Sequence, residues 1–359
     1  MKRIAYLMGT LKLAGAQKIL LDICKHLDKK KFKLFVIYWR DGELTKEFKK
    51  IKGVTLIKIS PIPEHSIKKG MVSLKHIQEI DKVIKEKKID ILESALMIEE
   101  IYGTRVSMLN KNLKHIIHIQ ASDDYRKTLR WKLFCKLRNK HNDKFIACSE
   151  DTRQFVIKEE GIDEDKIVTF PSFVDLKLIE KEKITDKIRD DSQIVLLNIG
   201  RLTKQKGQKY LIEAFDIVKR KYPNAVLYIA GEGDLKEELE EQAKGKDIEL
   251  LGLRKDIYNL LLQTDVFVYS SIYCGLSVAM LEAMAFKIPV ASFKVSGAID
   301  IIEHGKNGYL AETRNAEDLA ICIIKSIENK QVGKEGYKTV KKSFDINKNI
   351  KELEEIYNG

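Results

Sequence analysis

The 359-residue chain is 44% hydrophobic and 33% charged, which is typical of a globular protein, and its length predicts two domains that each bury a core. The net charge of +12 is unevenly spread: residues 1–180 carry 37 basic and 25 acidic side chains, whereas residues 181–359 carry 28 of each. The basic half predicts an anionic partner, either a membrane surface or an anionic lipid-linked molecule. Zinc-ligand spacings and aromatic-rich nucleic-acid signatures are absent from the sequence, so no nucleic acid is expected as a partner.

The five cysteines are scattered, without a Cys-x-x-Cys pair, which predicts a reduced, cytoplasmic protein. They are Cys24, Cys135, Cys148, Cys274 and Cys322. The first apolar run, Ile4–Met8, is interpreted as a buried strand and not as a signal peptide, because Lys12 interrupts it. The sequence has no stretch of about 18 uncharged apolar residues, so no transmembrane span is predicted. A peripheral position on the inner face of the plasma membrane is compatible with this.

In the first half, short apolar runs predict seven strands: Ile4–Met8, Leu34–Tyr38, Thr55–Ile59, Ile89–Glu93, His115–Ile119, Lys144–Cys148 and Ile167–Phe170. Amphipathic helices are predicted between several of them, for example over Ala16–Leu27 and Ser73–Lys87. The charged segment Lys177–Ser192 has no apolar period and is interpreted as a hinge between two domains.

The second half repeats this alternation. Its predicted strands are Ile194–Ile199, Ala225–Ala230, Ile248–Leu251, Val266–Tyr269 and Pro289–Ser292. Its predicted helices are Gly207–Lys221, Leu235–Lys244, Asp256–Leu262, Ser277–Phe286 and Ala316–Asn329. Near-continuous apolar strands separated by helices indicate parallel sheets covered on both faces. The fold class is therefore α/β, with two doubly wound domains that bind ligands at the carboxyl ends of their strands.

The segment Gly200–Gly207 follows a predicted strand and opens a helix. Arg201 can bind phosphate oxygens in a fork, and Lys206 supplies a point charge. Fixed cations of this kind stabilise negative charge that develops on a phosphate group during a reaction. The alternative is that the two side chains are ordinary solvated charges in a strand-to-helix loop.

The segment Ser270–Ala285 runs from an apolar strand through a Gly-containing loop into a helix. Backbone N–H groups at such a helix start can bind an anion or sugar hydroxyls. Glu282, one turn into the helix, can accept hydrogen bonds from a ribose diol. Its alternative role is that of an acidic residue favoured near a helix N-terminus.

Several turns follow these two segments in consistent order: Gly231-Glu232-Gly233-Asp234, Leu251-Gly252-Leu253, Ser296–Asp300 and Glu303–Gly308. Together the motifs resemble those of retaining GT-B glycosyltransferases of the GT4 family, most strongly over residues 194–312. The resemblance implies two Rossmann-like domains facing a central cleft. Residues 1–180 would bind the acceptor, residues 181–344 the nucleotide sugar, and the C-terminal helix within 345–359 would pack back onto the first domain.

The resemblance also implies roles for individual residues. Arg201 and Lys206 would clasp the pyrophosphate and serve catalysis, and Glu282 would hold the ribose. The donor would also contact Gly15, Gly200, Gly231, Leu253, Gly275, Leu276, Ser277 and Val278. Gln120 stands where the family often has a histidine that contacts the donor sugar, and His118 lies two residues earlier on the same strand face.

Cys274 departs from the family pattern, because it stands where the first glutamate of the E-x7-E signature is usual. A thiol does not reproduce the charge or acceptor capacity of a carboxylate. Three explanations stay open: an altered donor preference, an inactive or weakened protein, or a deliberately substituted residue. Cys274 is kept as a candidate catalytic position.

The segment Tyr125–Lys140 carries seven basic residues with Leu, Trp and Phe interleaved. Leu129, Leu133 and Leu137 recur at helical spacing with Phe134 beside them, which predicts either an interfacial helix on anionic lipid or a core-packed helix with a solvated basic face. Truncating Trp131 and Phe134 would separate these two interpretations. Asp163-Glu164-Asp165 formally matches an Asp-x-Asp metal motif but is interpreted as a turn. The resemblance implies that neither a metal nor another cofactor is required.

The sequence therefore predicts a glycosyltransferase that moves a hexose, with retention of configuration, from a UDP-linked or other nucleotide sugar. The acceptor would be a surface glycan or lipid-linked glycan. One alternative is a catalytically silent GT-B partner subunit that keeps the nucleotide pocket. A second is a nucleotide-sugar epimerase, which would need acid and base carboxylates that the sequence does not identify.

Overall fold

The computed structural model describes residues 1–62, 72–120, 124–273 and 275–359. The chain divides into two compact units. The first unit contains residues 1–171 and 348–359, and the second contains residues 172–347. Each unit is built around its own parallel sheet, so the predicted α/β class with two sheets is confirmed.

The first unit has a seven-stranded parallel sheet in the order β3-β2-β1-β4-β5-β6-β7. Its strands are β1 (Lys2–Leu7), β2 (Phe32–Tyr38), β3 (Val54–Lys58), β4 (Ile91–Ala95), β5 (Lys114–Ile119), β6 (Lys144–Ala147) and β7 (Ile167–Thr169). Ile4 of the central strand β1 pairs with Leu34 on one side and Ile91 on the other. The strands are apolar along their length because helices cover both faces of the sheet.

Helices of the first unit are α1 (Gly15–His26), α2 (Thr45–Lys50), α3 (Leu74–Lys87), α4 (Met97–Leu109), α5 (Leu129–His141) and α6 (Glu150–Glu160). Helix α4 is absent from the sequence prediction. Four polar residues on it are buried, Glu99, Glu100, Thr104 and Ser107, and they interrupt the apolar period that marks an amphipathic helix.

The second unit has a six-stranded parallel sheet in the order β10-β9-β8-β11-β12-β13. Its strands are β8 (Ile194–Ile199), β9 (Ala225–Ala230), β10 (Ile248–Gly252), β11 (Val266–Tyr269), β12 (Val290–Phe293) and β13 (Tyr309–Ala311). The sequence prediction lacks β13, since three residues are too short a run to stand out.

The remaining helices are α7 (Leu176–Ile179), α8 (Gln208–Lys221), α9 (Lys236–Ala243), α10 (Ile257–Leu261), α11 (Val278–Ala285), α12 (Ser296–Ile299), α13 (Ala316–Glu328), α14 (Gln331–Ser343) and α15 (Ile346–Asn358). Helix α14 is not among the predicted helices. Its Gly333 and Gly336 lower helix propensity, but a Cβ on Gly333 would lie 2.1 Å from the carbonyl oxygen of Lys287. Close packing therefore requires glycine at this position.

The boundary between the units lies before Ser172, nine residues earlier than the sequence placed it. The reason is a bridge between the segment that follows Pro171 and the end of the second unit. The amide of Val174 donates to the carbonyl of Phe344 at 2.9 Å, and the amide of Ile346 donates to the carbonyl of Val174 at 3.0 Å.

The charged segment interpreted as a hinge is also held by side chains of the second unit. Asn259 Oδ1 accepts hydrogen bonds from the amides of Thr185 and Asp186 at 2.9 and 3.2 Å. Gln263 Oε1 accepts from the amide of Ile188 at 2.9 Å. Both side chains are buried.

The C-terminal helix α15 brings Tyr357 into the first unit. The phenol of Tyr357 donates to Glu93 Oε2 at 2.5 Å and lies 3.2 Å from the phenol oxygen of Tyr6. Lys2 Nζ donates to the carbonyls of Tyr357 and Asn358, each at 3.0 Å. The first strand and the last helix are therefore joined directly.

Helices α4, α5 and α6 of the first unit meet at a buried lattice of two arginines and two glutamates. Arg126 donates to Glu100 Oε1 at 2.5 Å and to Glu160 Oε1 at 2.8 Å. Arg138 donates to the other oxygen of each carboxylate, at 3.1 and 2.7 Å. The indole N–H of Trp131 also donates to Glu160, at 2.8 Å.

All four charged side chains of this lattice are at most 2% exposed. Burial raises the pKa of Glu160 and the two arginines lower it, with a net downward shift. The carboxylate therefore stays ionised, and removing one partner would leave a buried guanidinium group without its counter-charge.

Glu160→Gln is expected to lower the free energy of unfolding of the first unit by about 3 kcal/mol or more. Urea titration followed by tryptophan fluorescence measures this selectively, because both tryptophans, Trp39 and Trp131, lie in that unit. The control is Glu159→Gln, whose ion pair with Lys132 at 3.0 Å is partly exposed and should cost less than about 1 kcal/mol. Equal losses in the two variants would contradict the structural role of the lattice.

Candidate active site

The loop that follows β8 comes into direct contact with the loop that follows β11. Gly207 closes the first loop with φ +61°, and a Cβ on it would lie 2.3 Å from the carbonyl oxygen of Ser270. Glycine alone fits both the left-handed backbone and the close approach. The hydroxyl of Ser270 also donates to the carbonyl of Lys206 at 2.9 Å.

Two further hydrogen bonds join these loops. The amide of Ile272 donates to the carbonyl of Gln205 at 2.9 Å, and Gln205 Nε2 donates to the carbonyl of Tyr273 at 3.0 Å. The loop that carries Arg201 and Lys206 is therefore attached to the loop that leads into α11.

Lys206 lies over the end of β11. Its ammonium nitrogen is 3.4 Å from the phenol oxygen of Tyr269 and 5.4 Å from the centre of that ring. Arg201 is exposed, and its carbonyl accepts a hydrogen bond from Gln208 Nε2 at 3.0 Å. Backbone contacts thus fix both residues at the carboxyl edge of the second sheet.

Gly200, Gly231 and Leu253 follow three neighbouring strands, β8, β9 and β10. A Cβ on Gly231 would lie 1.9 Å from the carbonyl oxygen of Gly200, so these two strand ends touch through glycine. The amide of Gly231 donates to the carbonyl of Gly252 at 2.8 Å. Leu253, which comes next, is 46% exposed.

Helix α11 begins beside the same loops. Ser277 is its N-cap, and the Ser277 hydroxyl accepts a hydrogen bond from the amide of Met280. A Cβ on Gly297 would lie 2.2 Å from the carbonyl oxygen of Gly275, so the chain enters the helix pressed against α12. The first-turn amides around Val278 have no carbonyl partner within the helix and can bind an anion. Leu276 is buried below this turn.

Glu282 is buried, and its carboxylate accepts a hydrogen bond from Tyr258. The distance from the phenol oxygen to Glu282 Oε1 is 3.1 Å. Tyr258 lies on α10, next to Asn259, which holds the segment of Thr185 and Asp186. Tyr258 could not be identified from the sequence, because one tyrosine on a short helix carries no pattern.

Cys274, the candidate position that departs from the family pattern, lies outside the described residues. Its two chain neighbours, Tyr273 and Gly275, lie in the loop between β11 and α11.

In the first unit, Gly15 opens α1, and a Cβ on it would meet no atom within 4 Å. Packing within the unit therefore does not require glycine at this position, in contrast to Gly207. The space beside Gly15 is open to a ligand.

His118 and Gln120 lie near the end of β5, where they line a small cavity. Tyr6, Ala16 and Glu93 line the same cavity, so it reaches the start of α1. His118 Nδ1 lies 3.3 Å from Glu93 Oε1, which makes His118 a buried histidine with a carboxylate partner. Gln120 is the more accessible of the two.

The phenols beside this cavity stay protonated. Burial and the nearby carboxylate of Glu93 raise the pKa of Tyr6 and of Tyr357 well above the ordinary value. Tyr6 therefore donates a hydrogen bond to the phenol oxygen of Tyr357, and Tyr357 donates to Glu93. This cluster could not be predicted from the sequence, because Tyr357 lies more than 250 residues away from Glu93 in the chain.

The turn after β1 is held by a buried carboxylate on α4. The amide of Gly9 donates to Glu99 Oε1 at 2.7 Å, and the ring of Trp39 lies against the same glycine. Burial raises the pKa of Glu99 to about 7. Glu99 therefore anchors the start of the loop that leads to Gly15.

Within the described part of the chain, no three His, Cys, Asp or Glu side chains are grouped so that they could hold a metal ion. In the acidic run 163–165, Asp163 pairs with Lys166 at 3.4 Å and Glu164 pairs with Arg153 at 3.0 Å. These carboxylates belong to a short 3₁₀ turn. Of the helices described, none is long and apolar enough to cross a membrane.

Comparison with known proteins agrees with this architecture. Residues 13–178 match the family described as Glycosyltransferase Family 4, and residues 180–349 match Glycosyl transferases group 1. The crystal structure of Anabaena HepE in complex with UDP and glucose superimposes with a TM-score of 0.83 over all of both chains, at 19% identity. This likeness shows the GT-B fold.

Curated relatives are glycosyltransferases as well. An uncharacterized glycosyltransferase of Methanocaldococcus jannaschii is 27% identical, with 94% of this chain and 95% of the relative covered. The Escherichia coli UDP-Gal:alpha-D-GlcNAc-diphosphoundecaprenol alpha-1,3-galactosyltransferase is 25% identical, with 99% and 96% covered. The chain therefore belongs to the GT4 glycosyltransferases and is a transferase enzyme.

Glu99→Gln is expected to remove a pH-dependent loss of stability from the first unit. The pKa of Glu99 in the folded state, about 7, exceeds the ordinary value of 4.5. Between these two values the unfolded chain loses the proton and the folded protein keeps it, so the free energy of unfolding falls as the pH rises. Between pH 5 and pH 7.5 the wild type should lose about 2–3 kcal/mol relative to the variant, which keeps an oxygen acceptor for Gly9.

Urea unfolding at the two pH values, followed by tryptophan fluorescence, measures this difference. Glu86→Gln is the control, because its carboxylate is 55% exposed and faces Lys82 at 3.8 Å. A constant stability difference between wild type and Glu99→Gln across this pH range would refute the assignment of a buried, titrating carboxyl at Gly9.

Proposed function

We propose that this enzyme transfers a hexose from a UDP-sugar, with retention of anomeric configuration, to a lipid-linked or surface-glycan acceptor. The observation that carries the proposal is the attachment of the Lys206 loop to the loop that leads into α11. It brings a cationic loop and a helix N-terminus to the same edge of the second sheet.

In this mechanism the diphosphate of the donor lies between Arg201, Lys206 and the amides of Gly275–Val278. As the glycosidic bond breaks, negative charge develops on the leaving phosphate oxygen. Fixed positive charges and helix amides stabilise that charge without reorganising. Glu282, held by Tyr258, accepts hydrogen bonds from the ribose diol, and the exposed Leu253 contacts the nucleobase side.

The choice of UDP draws on two similar proteins. The HepE structure contains UDP and glucose, and the Escherichia coli relative is named for UDP-galactose and a diphosphoundecaprenol acceptor. The acceptor would be bound by the first unit, where Gln120 and the open space at Gly15 lie at the carboxyl ends of strands. We place the protein in the cytoplasm, with access to the inner face of the plasma membrane. The donor binds without a metal ion in this proposal.

A catalytically silent nucleotide-binding subunit is the second candidate, and Cys274 is the residue that favours it. Transfer assays with the wild type and with Cys274→Glu separate the two functions. Turnover by the wild-type protein supports the transferase. Donor binding without turnover, restored to turnover by Cys274→Glu, would favour the silent subunit instead.

Glu282→Gln is expected to erase the preference of the protein for ribose over deoxyribose. Calorimetry should show that the wild type binds UDP about tenfold more tightly than 2′-deoxy-UDP, and that the variant binds both within about twofold, because a hydrogen bond to a carboxylate contributes roughly 1.5 kcal/mol or more. The control is Glu303→Gln, whose carboxylate is exposed and pairs with Lys306 at 2.7 Å. A tenfold preference that survives in Glu282→Gln would exclude Glu282 as the ribose ligand.

The same calorimetry tests the cationic loop. Lys206→Gln should weaken UDP binding by about tenfold or more and lower turnover further, since the charge on the leaving phosphate is largest in the transition state. Lys209→Gln, an exposed lysine on α8, removes the same charge and should change neither quantity by more than about twofold. If the two variants behaved alike, Lys206 would be an ordinary surface lysine.

Tyr258→Phe is expected to weaken UDP binding by about three- to tenfold, because one hydrogen bond that positions Glu282 is lost. The matched control is Tyr222→Phe, which removes a phenol that donates to Glu328 at 3.0 Å on the surface of the same unit. In the double variant Tyr258→Phe with Glu282→Gln, the two losses should not add, since both act on one contact. Additive losses would mean that Tyr258 acts elsewhere.

A further inference from the structure

Helix α5 presents two opposite stripes that invert the usual distribution of residues. The inward stripe, at helical spacing, holds Trp131, Cys135 and Arg138, which are buried, and the buried C-cap Asn142 continues it. The outward stripe holds Leu129, Leu133, Lys136 and Lys140, all of which are exposed. An arginine is thus inside and two leucines are outside, the reverse of a helix that only covers a core.

The inward stripe cannot bind a lipid surface. The indole N–H of Trp131 is used by Glu160, its ring lies 5.1 Å from that of Phe134, and Arg138 belongs to the buried lattice. Trp131 is therefore part of the packed interior, as the core-packed interpretation of this segment expects. The lattice instead holds the helix in place and fixes which face points outwards.

The outward stripe has the composition of a membrane-binding surface. Leu129 is 74% exposed and Leu133 is 58% exposed, one turn apart. Three cations lie around the two leucines: Arg130, Lys136 and Lys140. Among the residues that the structure describes, none of these three cations makes an ion pair. Lys132, by contrast, is engaged by Glu159.

We propose that this surface, formed by Leu129, Arg130, Leu133, Lys136 and Lys140, docks the protein on a bilayer of anionic lipid. The two leucines enter the region between headgroups and acyl chains, and the three cations lie at the level of the lipid phosphates. The first half of the chain has a net positive charge, whereas the second half is neutral. This positive charge adds a long-range attraction to the anionic lipid.

The docking surface deepens the proposed function, because it would keep the enzyme where a lipid-linked acceptor is found. It does not rest on the donor chemistry, however. Vesicles that contain no glycan and no nucleotide therefore test it separately, and UDP affinity of the same variants reports on the second unit.

The experiment compares sedimentation with vesicles of equal parts phosphatidylglycerol and phosphatidylcholine against pure phosphatidylcholine vesicles. The wild type should bind the anionic vesicles, and binding should weaken as the ionic strength rises from 0.05 to 0.3 M. Leu129→Ser with Leu133→Ser should lower the partition coefficient by about tenfold or more, through the loss of apolar insertion. Substituting glutamine for Arg130, Lys136 and Lys140 together should lower it by about 100-fold at low salt.

Matched controls exist for both variants. Leu74 and Leu109 are 75% and 59% exposed on α3 and α4 of the same unit, so Leu74→Ser with Leu109→Ser removes the same side chains at the same exposure. Glutamine at Lys177, Lys181 and Lys183 removes three charges from the second unit. Both controls should bind vesicles within about twofold of the wild type, and all variants should keep the wild-type urea midpoint and UDP affinity.

The proposal would be overturned if the wild-type protein did not bind anionic vesicles. It would also be overturned if Leu129→Ser with Leu133→Ser and Leu74→Ser with Leu109→Ser lowered vesicle binding equally. A change in molecular mass by light scattering in Leu129→Ser with Leu133→Ser, without any vesicle binding by the wild type, would assign the surface to contact between protein copies. Loss of UDP binding with vesicle binding retained would instead refute the proposed function alone.

Discussion

The contact between Gly207 and the carbonyl of Ser270 is the constraint on which the second unit's candidate site depends. At this point two strand-to-helix loops approach so closely that no side chain fits between them. The hydrogen bonds of Gln205 with Ile272 and Tyr273 also join the two loops. A cationic loop and a helix start thereby lie side by side at one edge of the sheet, as the proposed stabilisation of a leaving phosphate requires.

A second chain of contacts leads to the other end of the proposed donor. Glu282 accepts a hydrogen bond from Tyr258 of α10. The next residue on that helix, Asn259, accepts hydrogen bonds from the backbone amides of Thr185 and Asp186. The charged segment between the two sheets is therefore bonded to the helix that holds Glu282, the proposed ribose ligand. A movement of this segment would therefore displace α10 and with it Tyr258. The affinity for a nucleotide and the conformation of residues 185–188 should accordingly be coupled.

The parallel sheets and most strands could be predicted from the sequence, because an apolar strand such as Ala225–Ala230 is visible without its neighbours. The glycine-rich turns at Gly200 and Gly231 could also be found, since close backbone contact permits few residues. What could not be found are partners distant in the chain. Tyr357 meets Glu93, Glu99 meets Gly9, and Tyr258 meets Glu282 only after folding. Helix α4 was missed for the same reason, as its buried glutamates make sense only beside the groups they contact.

Helix α5 shows how a buried polar lattice changes the meaning of an exposed apolar residue. Replacing the two arginines and two glutamates by apolar side chains would cover the same core without desolvating four charges, so the lattice is not the simplest way to stabilise this unit. Its geometry, with each arginine bridging both carboxylates, instead fixes the rotation of α5 about its axis. A helix fixed in this way cannot turn Leu129 and Leu133 inwards, although that would remove apolar surface from water. Keeping the two leucines exposed costs the isolated chain free energy of folding. This cost is explained if Leu129 and Leu133 become buried when the protein docks on the proposed lipid surface.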